Sequence, residues 1–234
     1  EKHSIEWDVS AAEKCGYSHF MLKEIMEQPE AVRKTISPRL VNREIVLEEL
    51  NDAKELMKNI SRIYIVACGS AYHVGMVGKY AWEKLLHIPV EACLASEFRY
   101  SEPLLGESSL VIVISQSGET LDSMAALREA KRKGSKVLSI VNVMGSSIAR
   151  ESDYVLYTWA GPEIAVATTK AFTTQMVLLL MLGTYLAKQL NRIEQDEYAA
   201  IIRELQSLPE KISVILNNLD HYQKTAANYF NHNS

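Results

Sequence analysis

The chain has 234 residues, of which 47% are hydrophobic and 23% are charged, so it can bury a core and is not wholly disordered. Its 25 basic and 29 acidic residues give a formal charge of −4, whereas a nucleic-acid binder usually carries a basic excess. Three widely spaced cysteines fit neither a disulfide framework nor a zinc site, and residues 1–4 contain no apolar signal core. We therefore expect a cytoplasmic protein that binds neither membranes nor nucleic acid.

Residues 1–58 carry helical patterns and no strand pattern. Apolar residues recur at helical spacing over 20–28 until Pro29 interrupts them, and the same period returns over 44–59. This segment predicts a helical lead-in or linker.

From residue 62 onward, strands alternate with helices. Apolar, mostly β-branched runs predict strands at 62–67, 89–93, 110–115, 136–141 and 154–157. Helices are predicted near 71–86, 121–132, within 142–150, near 170–190 and over 194–234. The apolar run at 176–187 is too short to cross a bilayer and predicts a buried helix. The alternation predicts an α/β fold, a three-layer sandwich around a five-stranded parallel sheet.

The most informative stretch is the loop 115–120, which joins a strand to a helix. Its uncharged polar side chains belong to Ser115, Gln116, Ser117 and Thr120. The start of a helix offers unpaired N–H groups and about half a positive charge, hydroxyl groups can turn to donate, and Gly118 allows close backbone approach. The loop therefore predicts a site for a phosphorylated metabolite that neutral donors recognise.

A simple helix cap is the alternative interpretation of this loop. Ser117 would then be the N-cap, and Glu119 or Asp122 would be an acid favoured by the helix dipole. Three hydroxyls, a glutamine and a glycine exceed what a cap needs, which favours the ligand site. The ligand site also requires the Glu119 carboxylate to point away from the phosphate.

Two further loops, 68–71 and 161–168, follow the first and fifth predicted strands. The carboxyl ends of parallel strands meet at one edge of the sheet, so all three loops should face one crevice. In loop 68–71, Gly69 suits a tight turn and Ser70 can donate to a ligand. Cys68 as a catalytic thiol is disfavoured because no His, Asp or Asn partner is identifiable.

Charged residues near the third loop have two interpretations. Glu163 could act as a base and Lys170 as a cation in a site. We favour the alternative, in which Thr168 or Thr169 caps the helix and Lys170 pairs with a surface acid, because nothing in the sequence indicates a perturbed pKa.

The loop 115–120, with the sequence SQSGET, resembles the phosphate loop of the sugar isomerase (SIS) domain family. The stretches 19–29, 67–73, 95–100, 145–153 and 163–172 also resemble the glucosamine-6-phosphate synthases of that family. The resemblance implies a flavodoxin-like SIS fold. It divides the chain into a lead-in at 1–58, a first SIS domain at 59–192 and a helical connector at 193–234.

The resemblance also implies an activity and its partners. These enzymes convert fructose 6-phosphate and glutamine to glucosamine 6-phosphate and glutamate, without a cofactor or a metal. They use a glutaminase domain and two SIS domains and form dimers. We therefore expect the glutaminase and second SIS domains to lie outside this chain, and a homodimer through the isomerase part.

Carried over by position, the substrate-binding candidates are Ser115, Gln116, Ser117, Thr120, Ser70, Gly69, Val166 and Thr168. Ala71 departs from the family, since many relatives have serine there. The family's acid–base glutamate, ring-opening histidine and Schiff-base lysine belong to the missing part, so no catalytic residue is expected in this chain, which should bind sugar phosphate weakly. A non-catalytic sugar-phosphate sensor and a stand-alone aldose–ketose phosphate isomerase remain alternatives.

Overall fold

The computed structural model of the protein describes residues 13–53 and 58–232. Its helices are α1 (Phe20–Met26), α2 (Gln28–Ile36), α3 (Ser70–Leu86), α4 (Ala95–Phe98), α5 (Leu121–Arg132), α6 (Ser147–Glu151), α7 (Lys170–Gln189), α8 (Gln195–Leu216) and α9 (Leu219–Tyr229). Its strands are β1 (Leu40–Val41), β2 (Glu44–Ile45), β3 (Arg62–Ala67), β4 (Val90–Leu94), β5 (Ser109–Ser115), β6 (Lys136–Val141) and β7 (Tyr154–Tyr157). Short 3₁₀ helices occupy Ser37–Arg39 and Glu48–Ala53.

Strands β3 to β7 form one parallel sheet in the order β4-β3-β5-β6-β7. In its register Ile65 of β3 lies between Ala92 of β4 and Ile112 of β5. From β3 the chain adds β4 on one side of the sheet, and then returns to add β5, β6 and β7 on the other side. The strand order therefore switches between β3 and β5. The loops after β3 and β5 therefore flank the crevice where ligands bind in sheets of this kind.

Helices cover both faces of the sheet, because both faces of its central strands are apolar. Along β5, Ile112 and Ile114 pack into the cluster beneath α3 and α7, whereas Val111 and Val113 pack against α5 on the opposite face. Each fully buried side chain of this size contributes about 1.5–3 kcal/mol. The predicted three-layer α/β fold with five parallel strands is confirmed.

Helix α7 is the central helix of one layer. Among the described helices, only α7 is long and apolar enough to cross a membrane, and 78% of its apolar window is buried inside the protein. It packs closely on α3, since a Cβ at Gly183 would lie 2.6 Å from Cδ1 of Trp82. The Trp82 indole N–H donates to the Leu179 carbonyl at 3.0 Å. The expectation that this segment is too short to cross a bilayer is wrong, because its helix extends to 20 residues, whereas the expectation of a buried helix is confirmed.

The lead-in differs from its prediction in two places. An antiparallel pair, β1 with β2, forms where no strand was expected, with Asn42 and Arg43 at its turn in the left-handed region at φ 51° and 65°. Strands of two residues are too short to show a two-residue period, so their sequence gave no signal. The helix predicted over 44–59 is wrong at its start, where β2 and a 3₁₀ helix form, and residues 54–57 lie outside the described part.

The segments before and after the sheet pack on the same core. Val32 and Ile36 of α2, and Tyr198 and Ile202 of α8, belong to the buried cluster that includes β3 and β5. The Tyr198 hydroxyl also accepts a hydrogen bond from the Ile45 N–H at 2.8 Å. The lead-in is therefore held against the layer that carries α7.

Candidate functional site

A cavity of about 370 Å³ lies at the carboxyl ends of the strands. Its lining residues are Cys68, Gly69, Ser70, Ala71, Ile114, Ser115, Gln116, Ser117, Thr120, Glu163, Ala165, Val166, Thr168 and Gln175. All the binding candidates from the sequence are among them, and the three predicted loops meet there. Its volume falls within the usual range for small-molecule sites.

Gly118 shapes the loop 115–120. Its φ of 68° lies in the left-handed region, and a Cβ there would lie 2.5 Å from Cβ of Ser146 and closer still to its Oγ. The Gly118 N–H donates to the Ser115 hydroxyl at 3.0 Å, and its carbonyl accepts from the Ile148 N–H at 3.0 Å. Only glycine satisfies both the conformation and the contact with Ser146.

The hydroxyl groups of this loop do not engage the Ser117 and Thr120 N–H groups beside the start of α5. Thr120, not Ser117, is the N-cap, and its side chain makes no cap hydrogen bond. The Thr120 hydroxyl instead lies 3.2 Å from the Ser115 hydroxyl, and Ser117 Oγ accepts from the Glu119 N–H at 3.2 Å. Within the described residues no acceptor contacts the N–H of Ser117 or Thr120. The cap interpretation with Ser117 is therefore wrong, and these groups can donate to an anion.

The Glu119 carboxylate points away from the cavity. Its Oε1 accepts a hydrogen bond from the Ser147 N–H at 2.8 Å, at the first residue of α6. This backbone hydrogen bond lowers the pKa of Glu119 below its ordinary value, and the serine side chain adds to the effect. The negative charge is thus held at the start of α6. This meets the requirement, stated from the sequence, that the Glu119 carboxylate point away from a bound phosphate.

The loop after β3 forms the opposite wall. Gly69 is the N-cap of α3 with φ of 55° and ψ of −134°, and Ser70 and Ala71 begin the helix. Ala71 presents no hydroxyl, so its backbone N–H is the only donor that it can offer. Cys68 is half-buried and accepts a weak, 3.7 Å hydrogen bond from the Ser123 hydroxyl.

Glu163 caps the start of α7. Its carboxylate accepts from the Thr169 N–H at 2.9 Å, the Ala171 N–H at 3.1 Å and the Thr168 hydroxyl at 2.7 Å. A threonine cap was expected, but the N-cap residue Thr169 makes no side-chain cap hydrogen bond. The longer glutamate reaches several N–H groups and has the charge that a helix start favours.

Lys170 forms an ion pair with Glu27 at 2.6 Å. The expected partner was a surface acid, whereas the Lys170 side chain is 4% exposed and the Glu27 side chain is 34% exposed. This pair joins the start of α7 to the junction between α1 and α2, so Lys170 holds the lead-in rather than facing the cavity.

Glu24 of α1 holds the loop 161–168 from behind. It is 2% exposed, and its Oε1 accepts from the Ile164 N–H at 2.6 Å and the Ala165 N–H at 3.1 Å. These residues directly precede Val166, which lines the cavity mouth. Sequence reasoning missed Glu24, since nothing in its local pattern links it to a loop 140 residues away.

Asn142, at the carboxyl end of β6, joins two of the loops. Its side-chain amide donates to the Gly161 carbonyl at 2.7 Å, and its Oδ1 accepts from the Thr158 hydroxyl and the Ala160 N–H, both at 2.9 Å. Its backbone N–H donates to the Gln116 carbonyl at 3.2 Å. Sequence reasoning missed this residue too, although its place after a parallel strand was a usable signal.

The described lining contains no lysine or arginine. Hydroxyl groups and main-chain N–H groups supply its donors, and the positive end of α5 supplies its favourable field. Such an arrangement suits an anion that can accept many hydrogen bonds, as a phosphate monoester does.

Comparisons with known proteins agree with this geometry. Residues 56–185 match the SIS domain family. The chain is 52% identical to a glutamine–fructose-6-phosphate aminotransferase (isomerizing) of Clostridium acetobutylicum over 99% of its own length, and 53% identical to that of Caldanaerobacter subterraneus over 97%. It spans 38% of the length of each of these curated relatives.

A solved structure shows the same fold. The C-terminal domain of glucosamine-fructose-6-phosphate aminotransferase from Francisella tularensis superimposes with a TM-score of 0.81 at 44% identity. The match covers 85% of this chain and 56% of that one. Because the family match includes β3 to β7 and all three cavity loops, the chain belongs to the SIS domain family.

Proposed function

We propose that this chain is the sugar-phosphate-binding half of the isomerase part of a glutamine–fructose-6-phosphate aminotransferase. The observation that carries the proposal is the cavity at the strand switch, where three loops supply hydroxyl and main-chain donors beside the start of α5. The names of the curated relatives supply fructose 6-phosphate as the substrate.

The phosphate of fructose 6-phosphate would lie at loop 115–120. Ser115, Ser117 and Thr120 offer hydroxyl groups there, and the N–H groups at the start of α5 face the same space. Hydrogen bonds to a charged group are worth about 1.5–3 kcal/mol each, so a few suffice for recognition. The Gln116 side chain adds an amide donor.

The sugar would lie between the loops 68–71 and 161–168. Ser70 and the backbone at Gly69 face it from one side, and Val166 and Thr168 face it from the other. Val166 is fully exposed, so a bound sugar can cover its apolar surface.

The groups that carry out the reaction would come from other parts of a longer protein. Cys68 and Glu163 are the titratable residues in the described lining, and Glu163 is engaged at the start of α7. We infer that a glutaminase domain and a second SIS domain supply the reacting groups, within a cytoplasmic homodimer that forms glucosamine 6-phosphate. This chain alone would then bind fructose 6-phosphate without turning it over.

Calorimetric titration tests the proposal directly. Fructose 6-phosphate should bind the 234-residue chain, and unphosphorylated fructose should bind at least tenfold more weakly, as roughly expected when charged hydrogen bonds are lost. Ser117→Ala should weaken fructose 6-phosphate binding about tenfold. Ser207→Ala, at a half-buried serine of α8 outside the cavity lining, should have no effect and serves as the control. Equal binding of the two sugars would contradict the proposal.

A further inference from the structure

Gln175 is a buried polar residue of α7 that the phosphate site does not use. It is 2% exposed, it lines the cavity, and its side-chain amide makes no hydrogen bond to any residue in 13–53 or 58–232. We propose that this amide recognises the carbon chain of the bound sugar phosphate by hydrogen bonding to a hydroxyl or carbonyl oxygen. The inference rests on the proposed function and names a specificity residue for that same site.

The buried threonines and the buried lysine of α7 all have partners. The Thr174 hydroxyl donates to the Ala171 carbonyl at 3.0 Å, and the Thr184 hydroxyl donates to the Leu180 carbonyl at 2.8 Å. Lys170 has its ion pair with Glu27. The Gln175 amide has no hydrogen-bond partner among the described residues and borders the cavity, so a ligand bound there can complete its hydrogen bonds.

The hydrogen-bonding groups of the Gln175 amide suit a part of the ligand other than its phosphate. A phosphate dianion only accepts hydrogen bonds, and the loop 115–120 already presents donors to it. A glutamine side chain offers both donors and an acceptor, which complements a hydroxyl group that also donates and accepts. Gln175 therefore suits the polyhydroxyl part of the ligand rather than its anionic end.

The test compares Gln175→Leu with Gln189→Leu. Leucine is similar in size and removes the amide, whereas Gln189 is exposed at the far end of the same helix. The backbone amide signal of Ser117 follows the binding of fructose 6-phosphate and of inorganic phosphate to each protein. Gln175→Leu should weaken fructose 6-phosphate binding about tenfold and leave inorganic phosphate binding unchanged, while Gln189→Leu should change neither.

Thermal unfolding separates recognition from a structural role. If Gln175 serves the ligand, Gln175→Leu should unfold at the same or a higher temperature than the parent, because the variant loses no hydrogen bond within the protein. Gln175→Met provides a second apolar variant with the same expectation. A lower unfolding temperature for both variants, or equal loss of phosphate and sugar phosphate binding, would assign Gln175 a structural role and overturn the inference.

The experiments distinguish a failure of the Gln175 inference from a failure of the proposed function. If the parent chain binds fructose 6-phosphate and Gln175→Leu binds it equally well, the inference is wrong and the proposed function stands. If fructose 6-phosphate leaves the Ser117 and Gly118 signals of the parent unmoved, the proposed function fails, and the assignment of Gln175 fails with it.

Discussion

The Glu119 carboxylate and the Ser147 N–H form a 2.8 Å hydrogen bond that joins loop 115–120 to the start of α6. The bond turns the only acid of this loop away from the cavity and stabilises its charge. It therefore allows an acidic residue to lie within a loop that we propose binds a phosphate.

The Glu119 carboxyl should titrate below its ordinary pKa of 4.5, because the Ser147 N–H favours the ionised form. A pKa lowered by folding means that the ionised group stabilises the fold above the unfolded pKa, and that this contribution is lost as the pH falls through the folded pKa. Carbon-detected NMR titration measures the midpoint, and Glu119→Gln should remove this part of the pH dependence of stability. A midpoint at or above 4.5 would show that the hydrogen bond does not persist in solution.

Gly118→Ala should destabilise the protein more than Gly134→Ala. Both glycines have positive φ, so both variants carry a backbone cost of about 1–2 kcal/mol. Only the Gly118 variant also forces its Cβ into Ser146, which should add about 1–3 kcal/mol. Chemical denaturation of the two variants measures the difference, and equal losses would mean that the loop can move away from Ser146.

Glu24→Leu should release the loop 161–168 from its support. The Ile164 and Ala165 N–H groups lose their acceptor, so their hydrogen exchange should accelerate at least tenfold, as about 1.4 kcal/mol or more of local stability is lost. Glu24→Gln keeps an oxygen acceptor and should retain most of the protection. The control is Glu30→Ala, an exposed residue of α2. Unchanged exchange in Glu24→Leu would show that the loop is held by other contacts.

Asn142→Leu should lower the free energy of unfolding by about 2–5 kcal/mol, because it leaves the buried partners of one amide without hydrogen bonds. Those partners are Thr158, Ala160 and Gly161. Asn228→Leu, at an exposed position of α9, should change it by less than about 0.5 kcal/mol. A loss below about 1 kcal/mol for Asn142→Leu would mean that the loops are not coupled through this side chain.

The sheet could be predicted from the sequence because its strands are continuous apolar runs bounded by polar residues. The run before Ser115 gave β5 to within one residue, and the rule for parallel strands brought the three loops together. The β1–β2 pair was missed because strands of two residues carry no period.

The supporting residues could not be predicted because their contacts depend on tertiary structure. Glu24 meets the loop 161–168 only after α1 packs beside it, and this contact spans 140 residues. The binding roles of the cavity residues came from the resemblance to the SIS domain family and remain predictions. Gln175 lies within the helix predicted near 170–190, and nothing in its sequence position indicates that it borders the cavity.

A crystal of this chain soaked in fructose 6-phosphate tests the central claim most directly. We predict that the phosphate lies within hydrogen-bond distance of the Ser117 and Thr120 hydroxyl groups, at the start of α5, with no lysine or arginine of this chain in contact with it. An empty cavity with the phosphate bound instead to a basic surface patch, such as Arg128 and Lys131, would contradict the account.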